Sequence, residues 1–202
     1  MPAKPPQSAR RANAVLASRG MHRFPVAEPS LSHREWAEQI YRVFGELDIR
    51  QVAYVPDAGH TRLIELCHSD PALQTISLTT EEEGIAMLAG GWLGGVRGVL
   101  LMQSSGAGNC INMLSLVQEC RFPLLMILTM RGEWGETNPW QVPMGQSTPA
   151  VLERAGVIVY RVDDALHVAA AVAAGAQMAF ASNRAVAVLL GQRLIGAKQF
   201  EK

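Results

Sequence analysis

The chain has 202 residues, 49% hydrophobic and 18% charged, a globular composition that argues against a disordered or fibrous protein and suits one large domain or two small ones. Lysine plus arginine and aspartate plus glutamate both number 18, so the formal net charge is zero, and a general nucleic-acid binder, which would be basic, is disfavoured. Lys4, Arg10, Arg11, Arg19 and Arg23 precede the first acid, leaving 13 basic against 18 acidic groups, a net of −5, to the rest of the chain.

Residues 1–30 read as an N-terminal extension, because Pro2, Pro5, Pro6, Pro25 and Pro29 break any periodicity. A flexible tail, a transit-peptide-like leader and an arm lying on a partner subunit all fit it. From residue 31 to 202 a single domain is expected. Ser32-His33-Arg34-Glu35 has the form of a capping box, and the helix over 35–47 places Trp36, Ile40, Val43, Phe44 and Leu47 on one face. A strand over 51–55 ends at Pro56-Asp57-Ala58-Gly59. There follow a helix over 61–67, a strand over 75–78, a helix over 82–93, a strand over 98–103 and a helix over 109–119. Residues 123–129 are a continuous apolar run, as in a central parallel strand covered on both faces. After a long loop, 130–146, come a helix over 148–155, a strand over 157–162, a helix over 165–181 and a strand over 185–190.

Strands separated by helices imply an α/β fold, a mostly parallel six-stranded sheet with helices on both faces. No uncharged apolar run reaches the roughly 18 residues of a membrane span. Residues 165–181 come nearest, interrupted by His167 and Gln177, so no membrane association is expected. The three cysteines, Cys67, Cys110 and Cys120, form no CxxC, and the five histidines form no HExxH. A disulfide framework or structural zinc site is therefore not expected, and a reducing, cytoplasmic location is.

Ligands of such sheets bind beyond the carboxyl ends of the strands. Four segments sit there: 55–60, 79–84, 103–112 and 130–146. Thr79-Thr80-Glu81-Glu82-Glu83-Gly84 opens a helix with three acids. The helix dipole and a Thr80/Glu83 capping box account for Glu83 and Glu81, and account less well for Glu82. Six glycines crowd residues 84–98. Glycine inside a helix costs about 1 kcal/mol relative to alanine, so Gly90-Gly91 implies close approach of another backbone, either within the chain or across a subunit interface. Gln103-Ser104-Ser105-Gly106-Ala107-Gly108-Asn109 has the form of a phosphate-cradling turn, yet lacks GxGxxG, the P-loop lysine and GxSxG. The long loop carries Arg131, Glu133, Glu136, Trp140 and Gln141.

Taken in order, Val55-Pro56-Asp57, Glu81-Glu82-Glu83-Gly84, Met102 through Asn109, Asn112, Arg131-Gly132-Glu133 and Gly145-Gln146 resemble the pyrimidine-binding (PYR) domain of thiamine-diphosphate enzymes. The resemblance is in particular to the alpha chain or N-terminal domain of sulfopyruvate and phosphonopyruvate decarboxylases, and it covers about residues 31–190. It implies that Glu82, two positions before Gly84, is the glutamate that hydrogen-bonds the aminopyrimidine ring and promotes the ylide that attacks a 2-oxoacid. It places Pro56 and Asp57 beside the pyrimidine, and Ser105 and Asn109 on the glycine-rich turn at the active-site mouth. Gln141 stands where the family often has a histidine, and Ser104 where asparagine is common in phosphonopyruvate decarboxylases. Arg131 and His60 are the remaining candidates for substrate contacts; Arg131 equally fits a structural role, and His60 equally fits a solvated histidine at a helix start.

The family holds the diphosphate through Mg2+ with a Gly-Asp-Gly motif and a later Asn-Asn, on a second, diphosphate-binding (PP) domain. Neither motif occurs in this sequence. The resemblance therefore implies half an enzyme: an alpha subunit completed by a separate PP-domain beta subunit that holds the Mg2+, in a hetero-oligomer such as α2β2 or larger. Two alternatives remain at this point. The same intermediate is joined to a second carbonyl in an acetolactate synthase-like carboligase, and a non-catalytic PYR-like domain binds and regulates a partner.

Overall fold

The computed structural model describes residues 35–197; the 1–30 extension and the Ser32 half of the first capping box lie outside them. In chain order the elements are α1 (Trp36–Glu46), β1 (Ile49–Tyr54), α2 (Thr61–Ser69), β2 (Gln74–Ser77), α3 (Glu81–Leu93), β3 (Arg97–Gln103), α4 (Ala107–Cys110), α5 (Leu114–Cys120), β4 (Leu124–Thr129), α6 (Val142–Arg154), β5 (Ile158–Val162), α7 (Val168–Ser182), β6 (Ala185–Leu190) and α8 (Gln192–Ile195). The six strands form one sheet in the order β2-β1-β3-β4-β6-β5, and every pairing is parallel.

Alternation along the strands divides the core into two layers. Val99, Leu101, Leu125, Ile127, Val186 and Val188 face α1, α2 and α7, meeting Ile40, Phe44, Leu63, Val172 and Ala176. Leu100, Met102, Met126, Leu128, Ala187 and Leu189 face the opposite way, toward Ile85, Leu88, Cys110, Val117 and Leu152 of α3 to α6. All six residues of β4 are buried, as the apolar run predicts. With the turn before it, α7 is one helix, among the described residues, long and apolar enough to cross a membrane. Here it lies against α1 and the sheet through Val168, Val172, Ala176 and Ala179.

Three expectations are revised. The helix expected over 109–119 is two short helices, α4 and α5, preceded by a single 3-10 turn at Ser104–Gly106. Glycine and asparagine give its first turn poor helix propensity, and the chain is instead held by two separate buried pairs, Ala107/Cys110 and Leu114/Val117. The helix expected from residue 148 starts six residues earlier, at Val142, because Pro143 occupies the first turn, where its missing N–H is not needed. The Thr80/Glu83 capping box does not form: Thr80 makes no side-chain cap, and Glu83 Oε2 accepts from the backbone N–H of Thr79 at 3.0 Å. The short helix α8 lies beyond the expected elements.

Candidate active site

Strands β1, β3 and β4 are neighbours, so the loops leaving their carboxyl ends share one edge of the sheet. The β1 turn is tied to β4 there. Asp57 Oδ2 accepts a hydrogen bond from Thr129 Oγ1 at 2.5 Å. Gly59 permits this, since a Cβ at that position would lie 2.7 Å from the Thr129 methyl and 2.9 Å from the Asp57 carboxylate. Pro56 is exposed at the tip of the same turn.

The three acids that open α3 occupy three different environments. Glu83 is exposed and accepts from the Thr79 N–H just ahead of the helix, Glu82 is half-buried, and Glu81 is buried at 7% exposure. Glu81 reaches beneath the β3–α4 turn, where its Oε2 accepts from Asn109 Nδ2 at 2.8 Å and its carboxyl packs against Gly106. The carboxylates of Glu81 and Glu82 are both felt by the Cys110 thiol, which burial first, and then these two charges, push up to about 12.

At the same edge Gln103 Nε2 donates to Ser105 Oγ at 2.7 Å and to Gln141 Oε1 at 3.2 Å. These bonds join the glycine-rich turn to the start of α6. Ser104 is buried beneath it, its hydroxyl accepting from the Arg131 N–H at 3.1 Å and its carbonyl from the Thr148 hydroxyl at 3.2 Å. The structure thus brings Glu82, Ser105, Asn109 and Gln141 to the carboxyl edge of the sheet, with Pro56 and Asp57 on the neighbouring turn.

Two candidates are placed elsewhere. Arg131 is not a free cation facing a ligand: its Nε and Nη2 pair with Glu136 at 2.9 and 3.0 Å, and the two side chains are 8% and 3% exposed. Burial pushes the Glu136 carboxyl up, but hydrogen bonds from Arg131, Asn138 N–H, Gln192 and Gly132 N–H outweigh it and bring the group down to about 2. Gln192, also buried, accepts from the N–H groups of Glu133 and Trp134, and Glu133 in turn holds Arg161 through two bonds. The loop 130–141 is therefore locked onto the ends of β5 and β6. Its chain crosses itself where Gly132, at φ +75°, meets the Gln141 carbonyl, and where Gly145 lies against the Arg131 carbonyl.

His60 is neither a solvated residue nor a group facing a ligand. Its ring is fully buried, edge-on to Trp36, with Nε2 donating to the Ile127 carbonyl at 3.1 Å and Nδ1 without a partner among the described residues. Burial lowers its pKa below the usual histidine value, against the opposing pull of Asp57.

Sequence reasoning missed Thr129, Gln103 and Gln192, and named Glu136 only as a residue of the long loop. Gln103 lay within a motif already singled out, and Thr129 ended a predicted strand. Nothing local marked Gln192, whose role comes from β6 standing beside β4. A cleft of about 160 Å3, lined by Tyr41, Arg50, Asp70 and Leu73 among others, lies near Ile49 at the opposite end of β1.

No family model matches the chain. The curated relatives it resembles include the sulfopyruvate decarboxylase subunit alpha of Methanococcus maripaludis, 39% identical over 118 residues that make up 58% of this chain and 71% of the relative. The same-named subunit of Methanothermobacter thermautotrophicus is 36% identical, covering 57% and 71%. The phosphonopyruvate decarboxylase of Streptomyces viridochromogenes is 41% identical over 109 residues, 53% of this chain but 28% of that longer protein. Among solved structures, 2-oxoglutarate:ferredoxin oxidoreductase from Magnetococcus marinus superposes with a TM-score of 0.63 at 16% identity, covering 93% of this chain and 35% of that one, which establishes a shared fold.

Proposed function

Because the chain belongs to the family of sulfopyruvate decarboxylase alpha subunits, we propose that it is the alpha subunit of a thiamine-diphosphate-dependent 2-oxoacid decarboxylase. The observation that carries this reading is the position of Glu82: half-buried on the first turn of α3, at the carboxyl edge of a parallel sheet, next to Glu81, which holds the Ser105–Asn109 turn. The site fits the pyrimidine half of the cofactor. Ser105 and Gln141 offer hydroxyl and amide groups at the mouth, and Pro56 and Asp57 form the adjoining wall. When bound, thiamine diphosphate supplies a nucleophilic carbon and an electron sink for loss of CO2.

The chain's own part is narrower. Glu82 holds a proton at a ring nitrogen of the pyrimidine, a task that needs a carboxyl group within hydrogen-bond reach of that atom. Ser105, Asn109 and Gln141 orient what lies against the turn. Among the described residues no group of three or more histidines, cysteines or acids is arranged to hold a metal ion. The relatives named as alpha subunits imply a partner, and we assign the Mg2+ and the diphosphate to a partner chain of PP-domain type. On α3, among the described residues, Leu93 stands 86% exposed and a Cβ at Gly90 would meet nothing within 4 Å, a face that such a partner would cover.

The test is CO2 release from a panel of 2-oxoacids, including sulfopyruvate and phosphonopyruvate, by the chain alone and with its partner chain. Turnover is expected in the mixture alone, and Glu82→Gln should lower it by about 10²–10⁴-fold while leaving assembly intact. Unchanged turnover in that variant refutes the assignment of Glu82. A coupled hydroxyketone in place of free aldehyde reassigns the subunit to a carboligase.

A further inference from the structure

The buried acid of the first turn of α3 has no role in the reading above. An acid at a helix start complements the dipole from the surface, as exposed Glu83 does, and gains nothing by being buried. Glu81 is 7% exposed and, among the described residues, forms no ion pair, so its burial is offset by hydrogen bonding to the β3–α4 turn. Its fit there is close: a Cβ at Gly106 would lie 2.5 Å from the Glu81 carboxyl carbon and 2.6 Å from its Cγ. The bond to Asn109, 2.8 Å from Nδ2 to Oε2, has an unambiguous polarity. The amide nitrogen donates and the carboxyl oxygen accepts, so Asn109 turns its NH2 inward, and its Oδ1 is left without a partner among the described residues. Asn109 is exposed.

We propose that Glu81 is a positioning residue: it clamps the Gly106–Asn109 turn to the helix that carries Glu82, and it fixes the Asn109 amide with its oxygen outward. This corner of the site then accepts a hydrogen bond from an N–H or O–H of the bound molecule and repels an anionic oxygen. The inference deepens the cofactor reading above and rests on it for the identity of that molecule, but the Glu81–Asn109 orientation stands independently.

The experiment compares Glu81→Gln, which keeps an acceptor, with Glu81→Met, which does not. In the full chain labelled with 15N, the Asn109 side-chain amide pair should keep its hydrogen-bonded shift in Glu81→Gln and move to the solvent-exposed position in Glu81→Met. In the complex with the partner chain, titration with thiamine diphosphate followed by tryptophan fluorescence should give binding weakened about tenfold or more in Glu81→Met and within about threefold of wild type in Glu81→Gln. Asn109→Leu should reproduce the loss, and the double variant Glu81→Met/Asn109→Leu should add nothing to it; that cycle decides the matter if Glu81→Met alone folds poorly. An Asn109 amide pair indifferent to Glu81→Met, or Gln and Met variants that bind alike, overturns the proposal. A wild-type complex that does not bind thiamine diphosphate refutes the cofactor reading instead, and the amide spectrum still decides the orientation.

Discussion

Replacing Arg131 by methionine tests whether the mouth loop is held by a buried ion pair. Methionine preserves much of the volume and removes the guanidinium, leaving Glu136 buried without its cation. Breaking a buried pair from one side costs about 3–5 kcal/mol. Glu136 keeps the N–H groups of Gly132 at 3.3 Å and Asn138 at 2.9 Å, and Gln192 Nε2 at 3.0 Å, so the loss belongs at the low end, about 3 kcal/mol. For a chain of this size that lowers Tm by roughly 6–12 °C. Thermal unfolding followed by far-UV circular dichroism measures it, and the double variant Arg131→Met/Glu136→Leu should recover part of the loss, since no uncompensated charge remains. The pH profile adds a second arm. Glu136 is held at about 2, below its unfolded value of 4.5, so its stabilisation is fully present above pH 4.5 and is lost as the pH falls toward 2. Arg131→Met should flatten that acid limb. A Tm within about 2 °C of wild type, with the acid limb unchanged, would refute the reasoning.

Three further outcomes are expected. Gly90→Ala, in a helix interior with open space around it, should stabilise the isolated chain by about 0.5–1 kcal/mol and weaken its association with the partner chain; a stabilised variant that assembles normally removes this face from the interface. Burial holds both Cys67 and Cys110 up at about 12, with nearby carboxylates adding to the effect, while Cys120 is exposed. A thiol reagent should therefore label one cysteine in the native chain and three after denaturation, and native labelling of two or more contradicts the packing. The folded His60 has a lowered pKa, so the unfolded chain binds the extra proton first as the pH drops below about 6.5, and stability falls there; denaturant titrations should show His60→Phe losing this dependence.

The parts of this chain legible in the sequence were those governed by periodicity. All six strands and the major helices follow from where apolar residues fall, and the buried run 123–129 announced the centre of the sheet. The start of α6 at Val142, six residues before the expected 148, was not legible, because a proline such as Pro143 suits both a break and a first turn, and distinguishing the two requires knowing what precedes it. Within the site, Glu82 stood out because two neighbouring acids left it without a job. Arg131 and His60 were less legible. A charge on a loop and a ring at a helix start look available in one dimension, and their partners, Glu136, Gln192, Trp36 and the Ile127 carbonyl, are supplied by sheet order and by buried side chains that no local pattern reveals.

The strand order carries a consequence for how the molecule is made. β6 lies between β4 and β5, and among the described residues β5 has no other neighbour. Until synthesis passes residue 190, β4 has an open hydrogen-bonding edge, β5 has nothing to pair with, and Val186, Val188 and Leu190 are missing from the layer that α1 and α7 cover. The sheet therefore closes only once β6 has emerged and joined β4 to β5. Such a nascent chain, with an apolar strand exposed at its edge, is the state in which it most needs protection from other copies of itself.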